Sequence, residues 1–204
     1  MNVVSYKKRL GHKILLPVRI LIAATVVAAG RVAYSENASP RILEYRIKSG
    51  FLFNFAKYVN WPQGTFGSPT NAITIGILGK DPFGEVLDNT VSAKSIDGRP
   101  IVLRRFRDAE NIKECHVLFV SASEQDRLAA ISEYLKRRAV LTVGDFQGFL
   151  QAGGQIEFVA EKDQVKFDVN LVAVRSAGLK LDANLLRVAH RVLSEESKQK
   201  AGAE

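Results

Sequence analysis

The chain reads as an α/β domain: a mostly parallel sheet covered by helices, with an antiparallel hairpin at one edge. Three observations predict this. Short apolar β runs alternate with helical segments between residues 73 and 151, and such alternation implies parallel strands joined by right-handed crossovers. The first run, ITIGILG (73–79), is apolar almost without a break, as a strand buried on both faces requires. After residue 154 the alternation stops, and QIEFVA (155–160) and VKFDVN (165–170) are joined by the charged turn EKDQ. In the second of these, Val165, Phe167 and Val169 alternate with Lys166, Asp168 and Asn170, the pattern of a half-exposed antiparallel strand at a sheet edge.

The elements follow in order. Lys7, Lys8, Arg9 and Lys13 form a basic segment ahead of the apolar run ILIAATVVAA (20–29), and small residues come next. This is the layout of a secretory signal peptide, residues 1–35, with cleavage between Gly30 and Ser35. A membrane anchor is the competing reading, but Pro17 and Arg19 interrupt the apolar stretch, which stays short of the ~20 residues a bilayer span needs. Residues 36–193 are then one domain, a size that supports a real core, and 194–204 read as a disordered tail.

Residues 46–62, RIKSGFLFNFAKYVNWP, carry the densest aromatics of the chain. At 100° per residue Leu43, Ile47, Phe51, Phe55 and Tyr58 gather on one face, widened by Leu52, Ala56 and Val59, which predicts an amphipathic helix with that face in the core. The opposite arc holds Arg46, Ser49, Lys57 and Asn60 and reads as solvated, yet Phe53 projects from its middle. Either another part of the chain covers Phe53 or a partner protein does. The helix should stop before Trp61-Pro62.

After 73–79 comes the turn KDPFG, then a short helix through Val86, Leu87 and Val91. IVLRRF (101–106) and CHVLFV (115–120) are further strands; Ser123 caps a helix carrying Leu128, Ile131 and Leu135 on one face. AVLTVG (139–144) is the fourth parallel strand, followed by a short helix over 146–151 that Gly153-Gly154 terminates. A helical stretch over 171–177 ends at Gly178, LKL (179–181) is a short strand, and Asp182 caps a last helix through Leu185, Leu186, Val188, Ala189 and Val192.

Charge argues against nucleic acid. The chain has 29 Lys and Arg against 21 Asp and Glu. Six of the basic residues and none of the acids lie in 1–35, so removing that segment leaves 23 against 21, a net charge of +2, too small to steer a polyanion. Arg104, Arg105 and Arg107, and Lys136, Arg137 and Arg138, remain as small basic clusters that read as solvated faces. Cys115 has no second cysteine to pair with, so the core must stabilise the domain without a disulfide.

Ligands of parallel sheets sit beyond the carboxyl ends of the strands. Those ends place Gly79, Asp81, Ser121 and Asp145 at a candidate crevice. Asp145 is open to two readings there, a helix cap or a functional carboxylate. Gly79 to Gly84 begins with phosphate-loop spacing, but Glu85-Val86 stands where Lys and Ser/Thr are needed, and Pro82 removes a donor. Cys115 and His116 are adjacent in a strand and point to opposite faces, so they do not share a metal. No GxSxG elbow occurs. The residues therefore predict no catalytic set, metal or cofactor. A second site is predicted from aromatics: Phe53 on the helix, with Trp61 and Phe66 in a loop whose Gly64, Gly67 and Ser68 do little to bury them, border a contact surface for a second copy or a partner, or else fold under the sheet as core.

In order and spacing, FLFNFAKYVNWP, ITIGILGKDPFG, GRPIVLRRF, ECHVLFVSASE, VLTVGDFQGFLQAGGQIEF and VNLVAVRSAGLKL resemble the YfiR-like periplasmic family over roughly residues 41–192. The resemblance implies an α/β homodimer in the periplasm that represses the sensing domain of an inner-membrane diguanylate cyclase and so lowers cyclic-di-GMP, or that serves the outer domain of a sensor kinase instead. It also implies redox gating by a disulfide to the Cys of the CHVLF strand, for which only Cys115 is present here. The alternative is a periplasmic ligand-binding protein or enzyme using the crevice at Gly79, Ser121 and Gly144.

Overall fold

All six residues of Ile73–Leu78 (β2) are buried, because helices cover both faces of this interior strand of the sheet. In this computed structural model residues 40–195 are described, apart from 113, 136–137 and 162–163. The expected signal peptide and residues 196–204 of the expected tail lie outside the described residues. The chain order is α1 (Pro40–Lys57), β1 (Val59–Asn60), β2, α2 (Glu85–Val91), β3 (Ser95–Ile96), β4 (Arg99–Phe106), β5 (Val117–Val120), a 3-10 segment Ala122–Arg127, α3 (Leu128–Leu135) and β6 (Leu141–Gly144). It continues with β7 (Ile156–Glu161), β8 (Gln164–Asn170), α4 (Leu171–Ser176), β9 (Lys180–Leu181), α5 (Ala183–Val188) and β10 (Arg191–Leu193).

The main sheet has the order β10-β8-β7-β6-β5-β2-β4-β3. Strands β4, β2, β5, β6 and β7 are mutually parallel, and β7 and β8 form the antiparallel hairpin. The α/β class and the parallel core follow the sequence pattern. One apolar layer joins α1 and α2 to Ile73, Ile75, Ile77, Val117, Phe119 and Val143. The other joins α3 to Leu78, Leu118 and Val120. Alternate residues of each strand feed the two layers, as the pleat requires.

Four expectations are corrected. The hairpin is not at the edge, because β10 adds in parallel outside β8, pairing Arg191 with Asp168 and Leu193 with Asn170. The last helix is accordingly shorter: Ala189 is extended (φ −64°, ψ 141°), the His190 N–H donates to the Phe167 carbonyl at 2.9 Å, and buried Asp168 takes both His190 Nδ1 (2.8 Å) and Arg191 Nη2 (2.6 Å). Residues 146–151 form turns rather than a helix. There the Phe149 ring is wedged against Gly144 and Gly154, where any Cβ would collide with it, while Glu157 accepts from the Leu150 N–H and Asn170 donates to the Leu150 carbonyl.

The fourth correction concerns α1, whose buried residues are Lys48, Ser49, Leu52, Phe55 and Ala56. Leu43 and Ile47, expected in the core, are 51% and 39% exposed, and Val59 belongs to β1, which pairs with β9. Ser49, expected on the solvated arc, is buried because its hydroxyl donates to the Tyr45 carbonyl one turn back, at 2.7 Å, which removes the cost of hiding it. No helix among the described residues is long and apolar enough to cross a membrane.

Candidate functional site

The carboxyl ends of the parallel strands are closed by internal bonds. Gly79 takes φ +86°, and a side chain there would run into Ser123 and Glu124; its neighbour Lys80 donates its backbone N–H to Ser123 Oγ at 3.0 Å. Asp81 accepts from the Phe83 N–H (2.7 Å), the Gly84 N–H (3.3 Å) and Arg105 Nε (2.7 Å). Ser121, not Ser123, is the cap of the following 3-10 segment and accepts from the Ser123 N–H. Asp145 is not a helix cap. It accepts from Tyr45 Oη at 2.8 Å and Lys48 Nζ at 2.9 Å, and Lys48 also meets Glu44 at 2.5 Å. Lys48 and Asp145 each expose 6% of their side chains. Burial, then the bond to Asp145, pushes the Tyr45 phenol well above its ordinary range. Gly79, Asp81, Ser121 and Asp145 are thus brought to one end of the sheet, where Asp81, Ser121 and Asp145 accept hydrogen bonds from within the chain.

The amino ends are open. A cleft of ≈740 Å³ lies there, with Phe66, Thr74, Arg104, Cys115, His116 and Arg138 in its walls. It exists because α3, eight residues long, leaves part of β4 bare: Val102 is 39% exposed and the Arg104 side chain 47%. Phe66 stacks on His116 with centroids 4.7 Å apart, Trp61 meets the same imidazole edge-on at 5.6 Å, and the Arg99 guanidinium lies 4.0 Å over the Phe66 ring. Arg99 also donates to the Ser68 and Asn71 carbonyls (2.7 and 3.1 Å), so the loop that carries Phe66 is tied to β4.

His116 Nδ1 accepts the Thr74 N–H at 3.0 Å, which assigns the proton of the neutral ring to Nε2. Burial, and secondarily Arg99, lowers its pKa below the usual imidazole value. Cys115 faces the other way, into the α3 layer. Burial pushes its thiol up to about 12, so it stays protonated and unreactive at neutral pH. This end of the sheet thus presents planar rings, guanidinium groups and a neutral imidazole. Among the described residues, no group of three or more His, Cys, Asp or Glu side chains could hold a metal ion.

Of the three aromatic candidates, Trp61 and Phe66 come together, with centroids 6.2 Å apart, and both are half-buried. Phe53 stands apart from this pair; it is half-buried against the α1 layer and covered by the Lys94 ammonium at 4.7 Å. Sequence reasoning missed Lys48, Tyr45, Arg99 and Arg138. Only the Glu44–Lys48 spacing of i, i+4 was a readable signal.

A comparison with functionally curated proteins finds no match. Among solved structures, a conserved domain protein from Vibrio cholerae O1 biovar El Tor aligns at 10% identity and TM-score 0.44, over 60% of this chain and 55% of that one. The ABC domain in complex with L-Trp from Streptococcus pneumoniae aligns at 10% identity and TM-score 0.45, over 59% and 55%. This chain therefore spans about half the length of each, and neither likeness bears on function. The YfiR/HmsC-like family model matches residues 45–190, a span that runs from the Tyr45 clasp on α1 to His190 beside β10. The chain belongs to the YfiR/HmsC-like family.

Proposed function

We propose that the mature protein is an exported, non-catalytic, dimeric repressor that docks on the outer domain of an inner-membrane diguanylate cyclase and holds cyclic-di-GMP low. The observation that carries the reading is the family match over residues 45–190, a family of periplasmic regulators rather than catalysts. The surface described above supports it: half-buried Trp61 and Phe66 with Arg99 over the ring are the residue types that anchor interfaces. Phe53, Trp61 and Phe66 border the proposed contact, and homodimerisation and export through a cleaved signal peptide belong to the same proposal.

The test joins a strain and a variant. Deleting the gene should raise cyclic-di-GMP, and Phe53→Ser or Phe66→Ser should release the crosslinked membrane partner while costing far less stability than the ~3–5 kcal/mol of emptying a fully buried Phe site. Unchanged cyclic-di-GMP on deletion, with no crosslinked partner, overturns the reading. A large stability loss in both variants with partner binding retained removes these residues from the contact. The cleft of ≈740 Å³ favours a second reading, a small-ligand site, since ligand pockets are typically about 300–1,000 Å³. A thermal-shift screen of metabolites separates the two: a tight ligand without any partner effect supports it.

A further inference from the structure

Strand β4 is incompletely covered. Strand β3 pairs only with its first two residues, Ser95 with Pro100 and Ile96 with Arg99, and the Ile101 N–H is taken by the Lys94 carbonyl at 3.3 Å. Beyond that point the parallel ladder decides where each peptide group points. The Phe106 carbonyl accepts from the Gly79 N–H at 3.1 Å, so Val102, Arg104 and Phe106 turn their peptide groups to β2, and Leu103 and Arg105 turn theirs to the open side. Among the described residues none bonds to those outward groups. Unpaired edge groups of this kind are a template for another strand.

The flank of this edge is basic. Among the described residues, Arg104 has Glu114, 3.8 Å away, as its counter-charge. Asp81 and Asp88 are both engaged by Arg105, and Asp108 faces Arg127 at 3.7 Å. Arg99 bonds to carbonyls rather than to an acid. Val102 and Arg104 share the face that forms the cleft wall, with Arg138 across it.

We infer that the β4 edge accepts an extended acidic segment of a partner protein as an added strand, whose alternate carboxylates fall beside Arg104 and enter the cleft towards Arg138. Main-chain bonds to Leu103 and Arg105 supply affinity, and the alternate side chains supply specificity. A second copy of this chain fits less well, because β4 (RPIVLRRF) contains no acid to set beside Arg104, and the register that puts Arg104 opposite Arg104 brings like charges together. The inference rests on the partner-binding reading and states the chemistry of the segment that binds. Basic side chains can also serve only to keep an edge unpaired, and the experiment separates the two roles.

The ¹⁵N-labelled full chain is titrated with a fluorescent peptide of alternating Val and Glu, and in parallel with one of alternating Val and Lys. The Val-Glu peptide should bind, and the Leu103 and Arg105 amides should gain protection from hydrogen exchange, while those of Val102 and Arg104, already bonded within the sheet, change little. Arg104→Glu should weaken the Val-Glu peptide by about tenfold and turn the preference towards Val-Lys. No binding of Val-Glu, equal binding of both peptides, or binding without new protection at Leu103 and Arg105 overturns the inference. The peptide comparison on the unsubstituted protein stands even if the variant folds poorly. Neither arm involves a cyclase, so failure here leaves the strain measurement untouched, and failure of the strain measurement leaves the edge intact.

Discussion

At the carboxyl ends of the parallel strands the named polar groups point into the fold; at the amino ends cations and rings face a cleft. Asp81 and Asp145 hold three and two donors respectively, whereas among the described residues Arg104, in the cleft wall, has one distant acid. The difference teaches how to separate structural from functional polarity in a sheet of this class. A carboxylate at a strand end is a site only if its lone pairs remain available, and here α1 has supplied both Lys48 and Tyr45 to one oxygen of Asp145, Oδ2. The side usually searched for ligands in such folds is therefore a clasp, and the side that usually serves stability carries the accessible chemistry.

The largest effect should come from opening the clasp. Lys48→Ala leaves Asp145, 6% exposed, with the Tyr45 hydroxyl as its remaining side-chain partner. Removing one member of a buried pair costs about 3–5 kcal/mol, read as a shift in the urea midpoint. The double change Lys48→Met with Asp145→Leu should recover much of the loss, because it removes both charges at once. A loss below about 0.5 kcal/mol for Lys48→Ala would mean that α1 is held by its apolar face alone, and the contrast between the two ends would collapse.

How much of this was legible follows from the range over which each signal acts. Residues 73–78, 101–106 and 117–120 announced buried or half-buried strands by composition alone, and Gly178 with φ +74° ended α4 where a glycine was available to do so. The face of α1 was misread because periodicity assumes that polar residues stay wet. Lys48 and Ser49 are buried through partners that the helix pattern does not contain: Asp145, 97 residues away, and a backbone carbonyl one turn back. The same limit hid β10, since nothing near residue 191 records that Asp168 awaits a guanidinium. The neighbourhood of Trp61 and Phe66 was only half legible: their half-buried setting could be read locally, but His116, just before β5, and Arg99 on β4, which pack against them, come from distant parts of the chain.

A smaller effect should sharpen the amino end. The pKa of His116 is lowered in the folded chain by burial and then by Arg99. The unfolded chain therefore binds a proton more readily, so stability falls as pH drops from the ordinary imidazole value of about 6.5 to the lowered folded value, and is flat below it. The slope for one proton is at most about 1.4 kcal/mol per pH unit. His116→Phe should remove that slope while keeping a ring against Phe66. Urea midpoints measured between pH 7 and pH 5 for both proteins check this. An equal slope in the variant would assign the acid sensitivity to another group and leave the Phe66 stack without a titrating member.

The smallest effect is expected where the two ends meet on the surface of β4. Arg105 bridges Asp81 (2.7 Å) and Asp88 (2.6 Å) with 43% of its side chain exposed, so solvent and salt screen it. The hydrogen bond from Arg105 is the main reason that the Asp88 carboxyl is held below its ordinary pKa. The sign is that of a depressed acid: the contribution is present above about pH 4 and is lost as pH falls through the folded value. Arg105→Gln should cost no more than about 1 kcal/mol, less at high salt, and should return the Asp88 pKa, followed by carboxyl NMR, towards the ordinary value. Asp81 keeps its two backbone donors in the variant, so the turn before α2 should survive. A loss of several kcal/mol would show instead that Arg105 belongs to the same closed system as Lys48, and that the clasp extends around the edge strand on which a partner segment is inferred to add.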